Sequence, residues 1–95
     1  MDSFQRGTTV ICSIEVYDKD GELVSPITSM TITITLVEIG HKVVDGESMG
    51  TPDSLGKYHY DYQTTTNLSV GKYRVDYFAT NNSRISTAED WFELK

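Results

Sequence analysis

Apolar side chains recur at every second position along most of this chain, and a period of two is the signature of half-buried strands. Between residues 8 and 17, Val10, Cys12, Ile14 and Val16 alternate with Thr9, Ile11, Ser13 and Glu15. One parity is wholly apolar and the other mixed, so this segment predicts a strand with one face on a core. Asp18-Lys19-Asp20-Gly21 follows as a turn. Residues 22–27 form a short extended piece in which Pro26 argues against a central strand. Between 29 and 39 the alternation returns. Met30, Ile32, Ile34 and Leu36 stand against Thr31, Thr33 and Thr35, threonines whose branched Cβ suits an exposed pleat. Gly40-His41 turns the chain, and Lys42-Val43-Val44 makes a short strand that ends at the turn pair Asp45-Gly46.

The second half repeats the pattern. Residues 50–56 are a loop, after which Tyr58, Tyr60 and Tyr62 alternate with polar residues. Residues 64–68 lack alternation and read as strand end plus connection. Tyr73, Val75, Tyr77 and Ala79 alternate with Lys72, Arg74 and Asp76, and Asn81-Asn82-Ser83 is the next turn. In residues 85–94 the phase slips: Ile85 and Thr87 share one parity, Phe92 and Leu94 the other. A β-bulge near Glu89-Asp90 would reconcile them, with Trp91 pointing opposite to Phe92. No window carries a helical period. The expectation is an all-β fold, an antiparallel β-sandwich of about seven strands, as one domain over residues 1–95.

Composition narrows the function classes. Ninety-five residues fit a single core, and 38% hydrophobic with 23% charged residues is the balance of a folded chain. Fourteen acids against eight bases leave a net charge of −6. The bases are scattered, which argues against binding nucleic acid or an anionic membrane surface. No apolar run is long enough to insert across a bilayer. The first six residues lack the apolar core of a signal peptide, so localisation stays open between a secreted protein whose signal has been removed and a virion-associated protein that is cytoplasmic before assembly. The single cysteine, Cys12, offers neither an internal disulfide nor a CxxC metal site. It reads as a small buried hydrophobe rather than a reactive thiol.

Leu68-Ser69-Val70-Gly71-Lys72-Tyr73-Arg74-Val75 is the most informative stretch. Leucine anchors a connection, glycine permits a corner, and the Tyr73 hydroxyl is expected to bond back to backbone just upstream as a tyrosine corner. Asp53-Ser54-Leu55-Gly56-Lys57-Tyr58-His59-Tyr60 carries two readings. It echoes the acid-x-x-Gly-x-Tyr-x-Cys pattern of immunoglobulin domains, with Tyr60 where cysteine would stand; it is equally a glycine turn before a tyrosine-rich strand. Together with Val10-x-Cys12-x-Ile14, Val16-Tyr17-Asp18-x-x-Gly21-x-Leu23-Val24-x-Pro26 and Thr31-Ile32-Thr33-Ile34, these stretches resemble prokaryotic immunoglobulin-like domains of the macroglobulin MG2 type. They also resemble short stand-alone immunoglobulin-like proteins of phages and prophages. Thr8 departs from the aspartate frequent after the family's first glycine, which touches turn chemistry alone. The resemblance implies an immunoglobulin-like fold and binding, spacing or assembly rather than catalysis.

Candidate chemistry is sparse. Asp18, Asp20 and Glu22 could be read as a calcium loop, but the EF-hand pattern is incomplete and a strand–strand turn explains the same residues, so no metal or cofactor is expected. His41 and His59 lack zinc spacing. His59 beside Asp61 has no nucleophile in a suitable context and reads as a surface residue. Asn67-Leu68-Ser69 and Asn81-Asn82-Ser83 match the glycosylation triplet without other support. Most tyrosines follow the core phase. Tyr17, Phe78 and Trp91 do not, and are the candidate ligand or partner surface. The strand Lys42, Val43, Val44 and the strand from Thr8 are the expected sheet edges. The leading expectation is a non-enzymatic interaction or structural module, a virion or prophage accessory protein, that meets a protein partner or itself through an edge strand. The alternative is a carbohydrate- or small-ligand-binding domain in which those three rings cluster. The acids fall mostly in turns and outward positions, a coat that suits a neutral or basic partner.

Overall fold

The computed structural model describes residues 2–24, 29–81 and 84–95, the side chains of Asn81 and Arg84 excepted. Among these residues are seven strands: β1 (Asp2–Phe4), β2 (Thr9–Glu15), β3 (Ser29–Leu36), β4 (His41–Ser48), β5 (Lys57–Gln63), β6 (Gly71–Asn81) and β7 (Arg84–Leu94). They form a five-stranded sheet, order β1-β7-β6-β3-β4, and a two-stranded sheet, β2-β5. All pairings are antiparallel except β1 with β7, which run parallel. The expected all-β, seven-strand, sandwich-like architecture is therefore present, in sheets of unequal width.

Alternation explains the core. Ile32, Ile34 and Leu36 of β3, Tyr73, Val75 and Tyr77 of β6, and Phe92 and Leu94 of β7 face inward and are buried. Val10 and Cys12 of β2 and Tyr58 of β5 meet them from the other sheet. Tyr60 and Tyr62 follow the same phase and pack against this cluster partly buried.

Several expectations need correction. The strand at Lys42-Val43-Val44 does not stop at Asp45-Gly46; β4 runs on to Ser48. The β3–β4 register shifts twice, between Ile32 and Ile34 and between Ile34 and Thr35. Gly46 sits in that irregularity at φ +65°, and its N–H donates to Thr33 Oγ1 at 3.0 Å. A local glycine signal was thus a bulge inside a strand rather than a turn. Conversely, β7 has no bulge at Glu89-Asp90: its register with β6 is unbroken from Gly71↔Leu94 to Asn81↔Arg84. Ile85 simply faces outward, 67% exposed.

Thr33 and Thr35 are buried rather than exposed, because Asp76 and Arg74 lie opposite them on β6 and Lys42 lies opposite Thr35 on β4. β1 was not foreseen. It is held by Lys95 N–H donating to the Phe4 carbonyl (2.9 Å), with the Phe4 ring edge-on to Phe92 (6.1 Å). Pro26, and Asn82 and Ser83 of the expected turn, lie outside the described residues. Among the described residues no helix is long and apolar enough to cross a membrane.

Candidate functional site

The corner before β6 is built as follows. Gly71 enters the strand at φ +135°, and the Tyr73 ring, fully buried, stacks on Phe92 with centroids 5.2 Å apart and planes 4° from parallel. Its hydroxyl donates to the Ser69 carbonyl at 2.7 Å, four residues upstream. Burial raises the Tyr73 pKa, which keeps the hydroxyl a donor.

The three candidate rings do not converge. Phe78 and Trp91 share the outer face of the five-stranded sheet, but Phe78 lies opposite Thr87, four residues from Trp91, or roughly 13 Å along the strand. The intervening face is charged: Arg74 Nε donates to Asp76 at 2.9 Å, and Trp91 Nε1 donates to Glu89 at 3.2 Å. Tyr17 lies beyond the end of β2, where its hydroxyl donates to the Glu15 carboxylate. It lines a hollow on the opposite side of the sheet.

The Asp18 loop is occupied by its own backbone. Asp18 Oδ1 accepts from the N–H groups of Asp20 (2.9 Å) and Glu22 (3.0 Å), the geometry of an Asx turn. Among the described residues no three potential metal ligands converge there or elsewhere.

His59 sits between two carboxylates on the solvent face of β5. Its Nδ1 lies 2.6 Å from Asp53 Oδ2, and its Nε2 lies 3.8 Å from Asp61 Oδ2. The Asp53 hydrogen bond, then the Asp53 charge, raise its pKa above 6.5, against a small opposing desolvation. A raised folded-state pKa adds stability fully present below about 6.5, lost as pH rises through the folded value. His59 and Asp53 are about half exposed, so solvent screens the effect and keeps it small. Denaturant midpoints measured between about pH 6 and pH 8 should therefore fall with rising pH in the native chain, and more gently in His59→Gln. Parallel profiles for the two proteins would show that this contact carries no coupling.

The thiol of Cys12 is buried, and desolvation pushes its pKa up to about 11, with the charges of Asp90 and then Asp61 adding to the effect. A thiol so placed stays protonated and is a poor nucleophile.

The edges are the remaining feature. β4 and β1 bound the five-stranded sheet, and β2 and β5 each bound the two-stranded one. They are not equally open. β1 has three residues. β4 carries two register shifts and the charged residues Lys42, Asp45 and Glu47, with Lys42 and Asp45 paired at 3.9 Å, features that blunt an edge. β5 presents Lys57, His59 and Asp61. β2 carries no register shift, and its solvent face is Thr9, Ile11, Ser13 and Glu15, with Ile11 exposed. Beside it the first half of the inner face of β7 is uncovered. Ser86, Ala88 and Asp90 have the parity of Phe92 and Leu94, yet remain exposed because the narrow sheet does not reach them. Sequence patterning missed this site because alternation reports which way a residue points, not whether a second sheet arrives to cover it.

No family model, curated protein or solved structure matches the chain.

Proposed function

We propose that this protein is an immunoglobulin-like interaction module, without catalytic activity, that engages a protein partner through a free strand edge. The supporting observation is the mismatch between the sheets: two strands lie on five, which leaves strand edges and part of an inner face unpaired. Extended segments bind such edges by main-chain hydrogen bonds, with side-chain pockets adding selectivity. The immunoglobulin-like reading is supported by the Tyr73 corner and by the division of strands. β3, β6 and β7 share one sheet while β2 and β5 form the other, which parallels the C-F-G and B-E strands of immunoglobulin sandwiches. An MG2-type variant of that fold, on a virion or prophage-encoded particle, is the context the sequence resemblance supplies. The buried, protonated Cys12 thiol and a His59 engaged by carboxylates favour binding over catalysis.

Site-directed photo-crosslinking tests this reading. A photoreactive residue is placed at an edge position (Ser13, Lys42 or His59) or on the outer sheet face (Phe78 or Trp91). Adducts in the native particle or cell should come from edge positions. Adducts confined to Phe78 and Trp91 would overturn the edge reading in favour of a face-on platform.

A further inference from the structure

The phase of the β2–β5 ladder shows which backbone groups of β2 are free. Val16 N–H donates to the Gly56 carbonyl (2.8 Å) and Thr64 N–H to the Thr8 carbonyl (3.3 Å). Even-numbered β2 residues therefore bond to β5, while Ile11, Ser13 and Glu15 turn their N–H and C=O groups to the other side. Among the described residues no strand pairs with that side. The Tyr77 hydroxyl reaches the Ser13 carbonyl only at 3.5 Å.

Two hollows lie in series along this opening, and both touch Tyr77. The larger, about 150 Å³, runs between the Ile14–Tyr17 end of β2 and Ser86 and Ala88 of β7, floored by Met30 and Ala79. The smaller, about 30 Å³, lies between Val10–Cys12 and Asp90–Phe92. The lining is mostly apolar in the larger and mixed in the smaller; it includes three carboxylates, Glu15 in the first and Asp2 and Asp90 in the second, and, among the described residues, no lysine, arginine or histidine. Asp90 has the strongest bearing. It stands on the inward parity of β7, opposite Val75, and accepts only the N–H of its own neighbour Trp91 (2.8 Å) among the hydrogen bonds described. Its charge is felt by the buried Cys12 and Tyr77, both of whose pKa values it helps to raise. Asp90 is exposed in the free chain, and a strand laid over it would strip its carboxylate of water at a cost unless that strand brought a cation.

We propose that the free side of β2 is a groove for an extended segment of a partner protein, which joins the narrow sheet as a third strand. Its inward side chains would alternate, an apolar one filling the Tyr77–Ala88 hollow and a lysine or arginine two residues away meeting Asp90. The spacing fits, because inward residues of a strand recur about 7 Å apart, as Ala88 and Asp90 do. A second copy of this chain is disfavoured as the occupant: it carries the same −6 charge and brings the same carboxylates to the groove. This inference rests on the edge-binding function above and specifies the edge and the chemistry of the partner.

The test is amide hydrogen exchange of the full chain, titrated with a synthetic peptide of about ten residues in which threonine alternates with inward valine and one inward lysine. Slowed exchange is expected at the N–H groups of Ile11, Ser13 and Glu15. Replacing the peptide lysine by glutamate should weaken binding at least about tenfold, and Asp90→Asn should remove most of that difference. Ser13→Pro should abolish the protection without breaking a ladder bond, since the Ser13 N–H faces away from β5. If that variant misfolds, Asp90→Asn still decides the matter. Protection at β4 or β5 instead would overturn this inference while leaving edge binding intact. A concentration-dependent dimer protected at Ile11 and Ser13 would place a second copy in the groove and overturn the basic partner. Equal binding of the lysine and glutamate peptides would do the same.

Discussion

Gly56→Ala is expected to cost about 3 kcal/mol or more, enough to lower the midpoint of thermal unfolding by at least about 10 °C. Two separate effects add there. Gly56 adopts φ +73°, a conformation that a Cβ penalises by about 1–2 kcal/mol. A Cβ at this position would also lie 2.9 Å from the Val16 carbonyl oxygen, 3.0 Å from Val24 N and 3.1 Å from Leu23 Cβ. The first two are backbone atoms, joined to each other by the Val24 N–H···O=C Val16 bond of 2.9 Å, so they cannot swing aside as a side-chain tip would. The same Val16 donates its N–H to the Gly56 carbonyl at 2.8 Å. Moving this junction would disturb the end of the β2–β5 ladder and the Tyr17–Leu23 bridge together. Gly21→Ala is the control. It has a similar φ of +81° but nothing within 4 Å of its Cβ, so only the conformational part, about 1 kcal/mol, should be lost. Equal losses in the two variants, measured by denaturant titration, would show that close approach at Gly56 contributes nothing.

How much was legible in the sequence follows from what alternation measures. Val10 and Cys12, Ile32 and Ile34, and Tyr73, Val75 and Tyr77 lie in strands buried on the parity their spacing indicates. A period of two is a direct consequence of the pleat. Ends and irregularities were less legible. Asp45-Gly46 has the composition of a hairpin turn, and only its cross-strand partner, Thr33 Oγ1, makes it a bulge. β1 has three residues, too few to show a period, and it is fixed by a parallel neighbour at the far end of the chain. The phase slip in β7 shows the limit most clearly. Ser86 and Ala88 are small and Asp90 is charged, although all three stand on the inward parity. Their smallness and polarity suit a surface over which no strand of this chain lies among the described residues. What looked like a fault in the pattern was the trace of an opening, and seeing it required knowing which strands lie across the sandwich from β7. The candidate rings failed to converge for a related reason. Parity placed Phe78 and Trp91 on one face, but only the β6–β7 register shows how far apart they stand.

Tyr73→Ala is the second large effect expected, about 3–5 kcal/mol, against about 1 kcal/mol for Tyr73→Phe. The ring has no exposed surface and stacks on Phe92, which also meets the edge-on ring of Phe4. Three rings thus tie β6, β7 and β1 together, and removing the middle strand's inner partner leaves a cavity that the stack cannot close without moving β1. The hydroxyl contributes less. Its bond to the Ser69 carbonyl is partly buried, and Ser69 is exposed enough for water to replace the donor in Tyr73→Phe. A domain of this size is stable by about 5–15 kcal/mol in all, so Tyr73→Ala would remove a substantial part of its margin. A local consequence should accompany the global one. The Lys95 N–H, which donates to the Phe4 carbonyl at 2.9 Å, should exchange faster in Tyr73→Ala under conditions where the bulk of the protein stays folded. Denaturant titration gives the first quantity and amide exchange the second. A Tyr73→Phe loss as large as that of Tyr73→Ala would shift the weight from the ring stack to the corner hydrogen bond. Unchanged Lys95 exchange would show that β1 is held independently of the stack.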